Sequence, residues 1–105
     1  RYADVLLMKA EAKVRNGEDG TAELNAVRHR AGMPLRAKAT LDNILKERLL
    51  ELMWEGWRRN DLVRFGRFTK AYDFKPATGS YTRVFPIPDQ AIDLNTNLKQ
   101  NKGYK

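Results

Sequence analysis

The apolar residues of the first 66 positions recur at spacings of three and four, and this pattern stops at Gly66. Such spacings bring apolar side chains onto one face of an α-helix, whereas a half-buried strand requires strict alternation. Beyond Gly66, Pro76, Pro86 and Pro88 exclude a long helix because proline lacks the amide proton that a helix interior needs. The sequence therefore predicts an all-α fold whose helices are followed by an irregular tail rich in proline and asparagine.

Residues 1–32 are predicted to form a helical hairpin. The main apolar face of the first helix is joined by a second one that carries Val5, Met8 and Ala12, so we expect this helix to be buried on two sides. Gly17 supplies the left-handed stop that commonly ends a helix. The hairpin turn is therefore expected in the short polar stretch that follows.

The second helix is predicted to begin near Thr21, whose hydroxyl can cap the free amides of the first turn. Its buried stripe is Leu24, Val27 and Ala31. Gly32 should end this helix, and the residue before Pro34 is disfavoured in the helical region. These signals close the hairpin at residue 32.

Residues 41–66 are predicted to form a long helix and then a short one. Thr40 can cap the long helix, which has the strongest apolar period of the chain. The residues of that period are Leu41, Ile44, Leu45, Leu49, Leu52 and Met53. Gly56 should weaken or bend this helix, and residues 58–65 should form the short one, closed by Gly66. Two successive antiparallel helix pairs suggest an array like that of tetratricopeptide (TPR) repeats.

Residues 67–105 are predicted to form an irregular tail. Residues 80–85 can form at most a short extended segment before Pro86. Residues 88–92 can form one helical turn with Pro88 at its first position. A tail of this kind needs another surface to lie on.

The residue inventory argues against an enzyme. His29 and Ser80 are the only histidine and the only serine, and they lie in different segments, so a catalytic triad would require one particular tertiary arrangement. The absence of cysteine removes disulfides, thiolate metal sites and a cysteine nucleophile. No phosphate-binding glycine loop and no zinc spacing occurs. We therefore predict no catalytic residue, no metal and no cofactor, and a partly exposed surface position for His29.

The formal charge of +7 is compatible with nucleic acid, anionic lipid or an acidic protein as a partner. The 20 basic residues are spread along the chain, however, and no known nucleic-acid motif accompanies them, so we predict no nucleic-acid partner. No apolar run approaches the ~20 residues that cross a bilayer. The chain enters a helical pattern at Arg1 without a linker, and we therefore expect it to be part of a longer protein.

Glu47, Glu51 and Glu55 follow one another at intervals of four, which invites comparison with a glycosidase carboxylate pair or a metal site in a helix bundle. Bundle metal sites use a Glu-x-x-His spacing, which is absent here. The basic residues that can neutralise these carboxylates locally are Lys46, Arg48, Arg58 and Arg59. We therefore predict structural, solvated or ion-paired carboxylates.

The stretch after the long helix combines aromatic and charged side chains. Asp61 is three positions from both Arg58 and Arg64, so it can bridge the two guanidinium groups and brace a bend. Trp54 and Trp57 are weak candidates for ligand contact because an aromatic face can stack on a sugar ring. Their position beside a long apolar helix favours a place in the core instead.

Several segments resemble motifs of the SusD/RagB family and occur in the family's order. They are residues 1–12 (RYADVLLMKAEA), 24–32 (LNAVRHRAG), 47–66, 85–88 (FPIP) and 95–104. The residues that we interpret as structural motif positions are Arg28, Glu47, Arg48, Glu51, Glu55, Gly56, Arg58, Asp61, Arg64, Gly66, Pro86 and Pro88. Paired arginines and acidic residues, helix-stopping glycines and prolines fix geometry, so these residues are predicted to act as scaffold. The departures are Lys9, where the family usually has an aromatic, and Thr96 and Lys102, where prolines are common.

This resemblance implies the C-terminal portion of a mostly helical, TPR-based domain of a Bacteroidetes lipoprotein at the outer-membrane surface. Such proteins capture oligosaccharides, or in some members peptides, and act as the lid of a SusC-like TonB-dependent transporter without catalysis. The family's lipid anchor and most of its ligand-contacting loops lie upstream of these motifs. The implied function is a nutrient-binding accessory protein in which this segment is mainly scaffold.

The helix pairs alone leave another function open. TPR-like arrays also serve as protein–protein interaction modules that bind peptides along a helical face. Such a module would require no membrane location and no transporter. We keep it as the alternative prediction.

Overall fold

The computed structural model describes residues 1–104 and contains five α-helices. They are α1 (Tyr2–Arg15), α2 (Thr21–Arg30), α3 (Leu41–Glu51), α4 (Arg58–Arg64) and α5 (Asp89–Leu94), with a 3-10 helix at Ser80–Arg83. No strand forms among these residues, which agrees with the all-α prediction. None of the helices in residues 1–104 is long and apolar enough to cross a membrane. The chain divides into two units, of which the first ends at Asp61.

The core of the first unit lies where α1 packs against α2 and α3. Its buried residues are Leu7, Ala10, Leu24, Val27, Ala39 and Ile44. Gly20 is buried in the turn between α1 and α2, and a methyl group there would lie only 2.6 Å from the carbonyl oxygen of Ala10. Glycine permits this close approach of two backbones because it has no Cβ. The two helices form a hairpin around this turn.

α1 is buried on one face only, so the prediction of burial on two sides is wrong. Val5 and Met8 are 51% and 47% exposed, and Ala12 is exposed as well. The reason is that the core includes the side of α1 that carries Leu7 and Ala10, against which α2 and α3 pack. The second apolar face of α1 remains accessible.

α2 differs from its prediction at both ends. Thr21 is the first helical residue rather than the cap, because Gly20 occupies the cap position. The Thr21 hydroxyl donates to Asp19 at 2.5 Å and accepts a hydrogen bond from the amide of Ala39 at 2.8 Å. It therefore joins the connector before α3 to the start of α2. Ala31, which was expected in the buried stripe, is exposed because it lies one residue beyond the end of α2.

Thr40 caps α3 as predicted. Its hydroxyl accepts from the amide of Asn43 at 3.2 Å, and the Asn43 side chain accepts from the Thr40 amide at 2.8 Å, which together form a capping box. α3 is shorter than its apolar period indicates, since Met53 lies outside it and is exposed. The chain turns there because Trp54 and Gly56 have φ values of 66° and 79°, which a right-handed helix does not accommodate.

In the second unit, the structure confirms one prediction and contradicts another. α4 is followed by Gly66 with a φ of 67°, as expected for a helix-stopping glycine. Residues 80–85 contain a 3-10 turn, so the prediction of an extended segment is wrong. The turn closes because both the amide and the hydroxyl of Thr82 donate to the carbonyl of Gly79, at 3.1 and 2.8 Å.

A side-chain amide orders the proline-containing part of the tail. Pro86 and Pro88 have no amide proton to donate, and Ile87 between them pairs with the side chain of Gln100 in both directions, each bond 2.8 Å long. α5 begins directly after Pro88, which is its cap and not its first residue as predicted. The Gln100 side chain therefore makes the pair of hydrogen bonds with Ile87 that the backbone of a neighbouring strand would make in a sheet.

Glu23 holds α2 to α1 through two lysines. Hydrogen bonds from Lys13 at 2.6 Å and then from Lys9 at 3.0 Å lower the pKa of Glu23 to about 2. A carboxyl group with a lowered pKa stabilises the fold above its ordinary pKa of 4.5, and this contribution is lost as the pH falls through 2.

We expect Glu23→Gln to lower the melting temperature at pH 6 but not below pH 2. Thermal unfolding at both pH values tests this, with Glu18→Gln as an exposed control; an equal loss at both would contradict it.

Candidate functional site

Arg48 forms the centre of a buried ion-pair network in the first unit. Its Nη1 donates to Asp4 at 2.7 Å and its Nε donates to Asp61 at 2.8 Å. All three side chains are buried, and that of Arg48 is only 2% exposed. One guanidinium thus joins α1, α3 and the first turn of α4. We call these three residues the Arg48 network; a buried charge of this kind is tolerated only when it is paired and hydrogen-bonded.

A second buried pair joins α2 to α3. Arg28 donates from Nη1 to a carboxylate oxygen of Glu47, and both side chains are buried. The Nε of Arg28 donates to the carbonyl of Pro34 at 2.8 Å, which ties the connector after α2 to the same guanidinium. Each buried polar group of this pair is therefore occupied by protein.

The carboxylates of Glu47, Glu51 and Glu55 are ion-paired as predicted, but the expected partners are wrong. Glu51 accepts from Arg1 at 3.0 Å and from Arg30 at 2.8 Å, and Glu55 contacts Arg1 at 2.6 Å. The basic residues expected as partners were Lys46, Arg48, Arg58 and Arg59. Arginines of α2 and of the residue before α1 reach these carboxylates instead, because α1 packs against both α2 and α3.

Arg58 is not bridged by Asp61, so that part of the predicted brace is wrong. Asp61 pairs with Arg48, and Arg58 donates from Nη1 to the carbonyl of Leu45 at 3.2 Å. The turn between α3 and α4 is thus braced from α3 rather than within α4. The guanidinium of Arg64 lies 5.3 Å from the ring centroid of the neighbouring Phe65; its bridge to Asp61 stays a prediction.

Trp54 lies outside the core, so the prediction of a core position for this residue is wrong. Its side chain is 97% exposed, because the left-handed turn directs it away from α3. Trp57 is partly exposed at 39%. Its ring centroid lies 5.9 Å from the guanidinium carbon of Arg48, so this ring covers one side of the Arg48 network. The two tryptophans therefore have different roles: one packs on a buried cation and the other faces solvent.

A cavity of about 420 Å³ opens beside Trp54, and we call it the Trp54 pocket. Its lining includes the apolar residues Leu49, Leu52, Met53 and Trp54 and the basic residues Arg58 and Arg59. The volume falls in the range of about 300–1,000 Å³ that is usual for small-molecule sites. Apolar walls with a few charged donors are typical of such sites, so this pocket is the candidate binding site.

A second cavity of about 370 Å³ lies between α1 and α2. Its floor includes Leu6 and Val27, and Tyr2 and Arg30 also line it.

His29 is exposed, as predicted. No group of three histidine, cysteine or acidic residues in residues 1–104 could hold a metal ion.

Sequence reasoning identified Trp54 but missed the pocket and its basic wall. The signal was Gly56, which follows Trp54 by two residues and marks a left-handed turn. A helix that ends before such a turn cannot bury the residues of the turn along its own apolar face. The apolar period of the sequence continues through Met53, beyond the end of α3, and this conceals the turn.

We expect Trp54→Asn to raise the free energy of unfolding by about 1 kcal/mol. The left-handed region costs an ordinary L-residue about 1–2 kcal/mol, and asparagine adopts it more readily than tryptophan. Little packing is lost because the indole is exposed. Urea unfolding measures the change. Trp57→Asn is the matched control and should be destabilising, since Trp57 has no positive φ to relieve and covers Arg48. Destabilisation by Trp54→Asn would contradict the described turn.

Residues 1–82 match the SusD family. Over its whole length the chain is 38% identical to the starch-binding protein SusD of Bacteroides thetaiotaomicron, and it covers 21% of that protein. It is 35% identical over 99% of its length to the SusD-like protein P38 of Formosa agariphila, and it covers 24% of that protein. Its structure is similar to surface glycan-binding protein A from Bacteroides uniformis, with a TM-score of 0.84 and 32% identity over 96% of this chain and 26% of that one. The chain thus spans about a fifth to a quarter of the length of these relatives.

Proposed function

This chain belongs to the SusD family, and we propose that it is the scaffold portion of a glycan-binding protein at the bacterial outer-membrane surface. The names of two relatives support this proposal, since one is a starch-binding protein and another a surface glycan-binding protein. The ligand is an oligosaccharide, or a peptide as in some members of the family. The protein binds this ligand and catalyses no reaction on it.

The observation that carries the scaffold role is the burial of the motif side chains. Arg28, Glu47, Arg48 and Asp61 are buried and paired with one another or with Asp4, so their charged groups are occupied by protein. They join α1, α2, α3 and the first turn of α4. Residues that act in this way hold helices in register and leave ligand contact to other surfaces.

The partner in this proposal is a SusC-like TonB-dependent transporter, to which the protein delivers its ligand. Membrane association comes from a lipid anchor outside this segment. Resemblance to the family supports both statements, and neither requires a membrane-spanning helix in this chain. The surface that meets the transporter lies on the assembled protein rather than in the buried networks.

The proposal is tested by affinity capture of the tagged, full-length gene product from its own cells after fractionation. We expect it in the outer-membrane fraction, together with a large barrel transporter identified by mass spectrometry. An untagged strain is the control for adventitious capture. Recovery from the cytoplasm without a barrel protein would overturn the location and the partner together.

One observation favours a peptide-binding module as a second candidate function. The 370 Å³ cavity between α1 and α2 has an apolar floor at Leu6 and Val27, which suits an apolar side chain of a peptide. Tyr2→Ala removes an exposed aromatic from its edge. If this function is correct, the capture experiment recovers a cytoplasmic protein partner in place of the transporter, and Tyr2→Ala weakens that capture.

A further inference from the structure

The turn between α3 and α4 holds Trp54 in a conformation that bulky residues rarely adopt. Trp54 and Gly56 both have positive φ, and the turn is closed by a hydrogen bond of 3.1 Å from the amide of Glu55 to the carbonyl of Leu52. The turn lets the start of α4 come back to α3, where Asp61 meets Arg48. The buried pair thus stabilises a strained tryptophan whose indole faces solvent. Strain of this kind clusters at binding sites.

The Trp54 pocket has the apolar surface that a ring-shaped ligand needs. Leu52 is buried at its base, Met53 is about half exposed, and Trp54 is almost fully exposed. A flat indole with free faces can stack on the apolar face of a sugar ring, and methionine adapts to irregular ligand shapes. The volume of about 420 Å³ leaves space for more than the stacked ring alone.

The charge of the pocket indicates which ring is bound. Arg58 is half-buried and donates to the carbonyl of Leu45, and in the part of the chain that the structure describes it has no ion-pair partner. The charge of Arg48 is different, because Asp4 and Asp61 already neutralise it. No acidic residue lines the pocket among residues 1–104. A guanidinium beside apolar walls gains from an anionic partner and binds carboxylates and sulfates with paired hydrogen bonds.

We propose that the Trp54 pocket binds an acidic sugar residue of a glycan, with the sugar ring stacked on Trp54 and its anionic group at Arg58. This inference rests on the proposed glycan-binding function and narrows its ligand class to glycans that carry carboxylate or sulfate groups. A neutral sugar would use the indole and leave Arg58 without a counter-ion. Arg59 adds a second positive charge to the same lining.

The test measures binding of trigalacturonate to the full-length gene product by titration calorimetry. Its methyl ester is the neutral comparison ligand, and sulfated and unsulfated forms of one trisaccharide distinguish sulfate from carboxylate recognition. We expect Trp54→Asn to weaken trigalacturonate binding by about tenfold or more, as loss of a stacking ring does in other sites. Arg58→Gln should weaken it by about tenfold and leave binding of the methyl ester unchanged, because glutamine keeps a polar amide at this position but carries no charge.

Matched controls separate the pocket from general surface effects. Phe74→Ala removes a fully exposed aromatic from the other unit, and Arg36→Gln removes an exposed arginine, so both should bind trigalacturonate like the unmodified protein. Iodide quenching of fluorescence, compared between the unmodified protein and Trp54→Asn, reports whether Trp54 is accessible in the full-length protein. We expect iodide to reach it.

Two results would overturn the inference. One is a Trp54 that iodide does not reach, which would mean that another part of the protein covers the pocket. The other is glycan binding that Trp54→Asn and Arg58→Gln leave unchanged; the proposed function would then stand with its site elsewhere. Failure of the proposed function is seen separately, as the absence of the protein from the outer membrane and of any bound glycan.

Discussion

Replacement of Arg48 by methionine is expected to destabilise the first unit by about 3–5 kcal/mol, because it removes the buried cation that pairs with the carboxylates of Asp4 and Asp61. Asp4 and Asp61 both lie in the Arg48 network, and neither can reach water without opening the contacts of α1 or α4 with α3. Native-state hydrogen exchange of peptides from α1 and α3 measures the loss in the full-length gene product.

The matched control is Arg30→Met, which removes an arginine whose side chain is well exposed and whose partner is Glu51. The Glu51 side chain is buried but keeps its ion pair with Arg1, so loss of the exposed Arg30 should cost only about 0–1 kcal/mol. The triple variant Arg48→Met, Asp4→Asn, Asp61→Asn should recover much of the lost stability, because no buried charge then remains in the Arg48 network. A loss below 1 kcal/mol for Arg48→Met alone would show that the network is not buried as described.

Glu47→Ala is expected to cost a comparable amount, about 3–5 kcal/mol, because Arg28 is then buried without its carboxylate. The change also removes the direct link between α2 and α3. Urea unfolding with circular dichroism detects the loss. The stability of the Glu47→Gln variant should lie between that of the unmodified protein and that of Glu47→Ala, since the amide oxygen still accepts from Arg28 but carries no charge.

Glu55→Ala is the control for this second prediction. Its carboxylate pairs with Arg1 at the surface, where both side chains are partly exposed. We expect a loss below about 1 kcal/mol. Equal losses for Glu47→Ala and Glu55→Ala would contradict the difference in burial on which the prediction depends.

Local signals predicted where the helices lie and several of the positions at which they end. Thr40 is followed by Asn43 and so forms its cap within one turn, and Gly17, Gly32 and Gly66 all adopt the positive φ that ends a helix. These features depend on residues within four or five positions of each other, so their effect can be read from the sequence. The spacing of the apolar residues predicted the all-α fold class, and the family motifs implied the same class.

Non-local contacts were not predictable in the same way. Asp61 pairs with Arg48, 13 positions away, which the sequence did not indicate, and the partners of Glu51 include Arg1, which is 50 positions away. Charge periodicity reports which residues share a helix face, not which other helix approaches that face. The exposed position of Trp54 was not predictable for a related reason. The tendency of tryptophan to be buried is an average over many proteins, and it does not describe the left-handed turn that holds Trp54.

The Arg48 network also limits the order in which the first unit can assemble during synthesis. Asp4 is made 44 residues before Arg48, and Asp61 follows 13 residues after it. Synthesis of the 18 residues from the end of α2 to Arg48 takes about 1–4 s at roughly 5–20 residues per second, and during this time the nascent hairpin carries the Asp4 carboxylate without its arginine. Burial of that face must wait for α3, so the hairpin alone is a poor folding unit and the first 61 residues should assemble together. Until then its apolar face is available to chaperones and proteases.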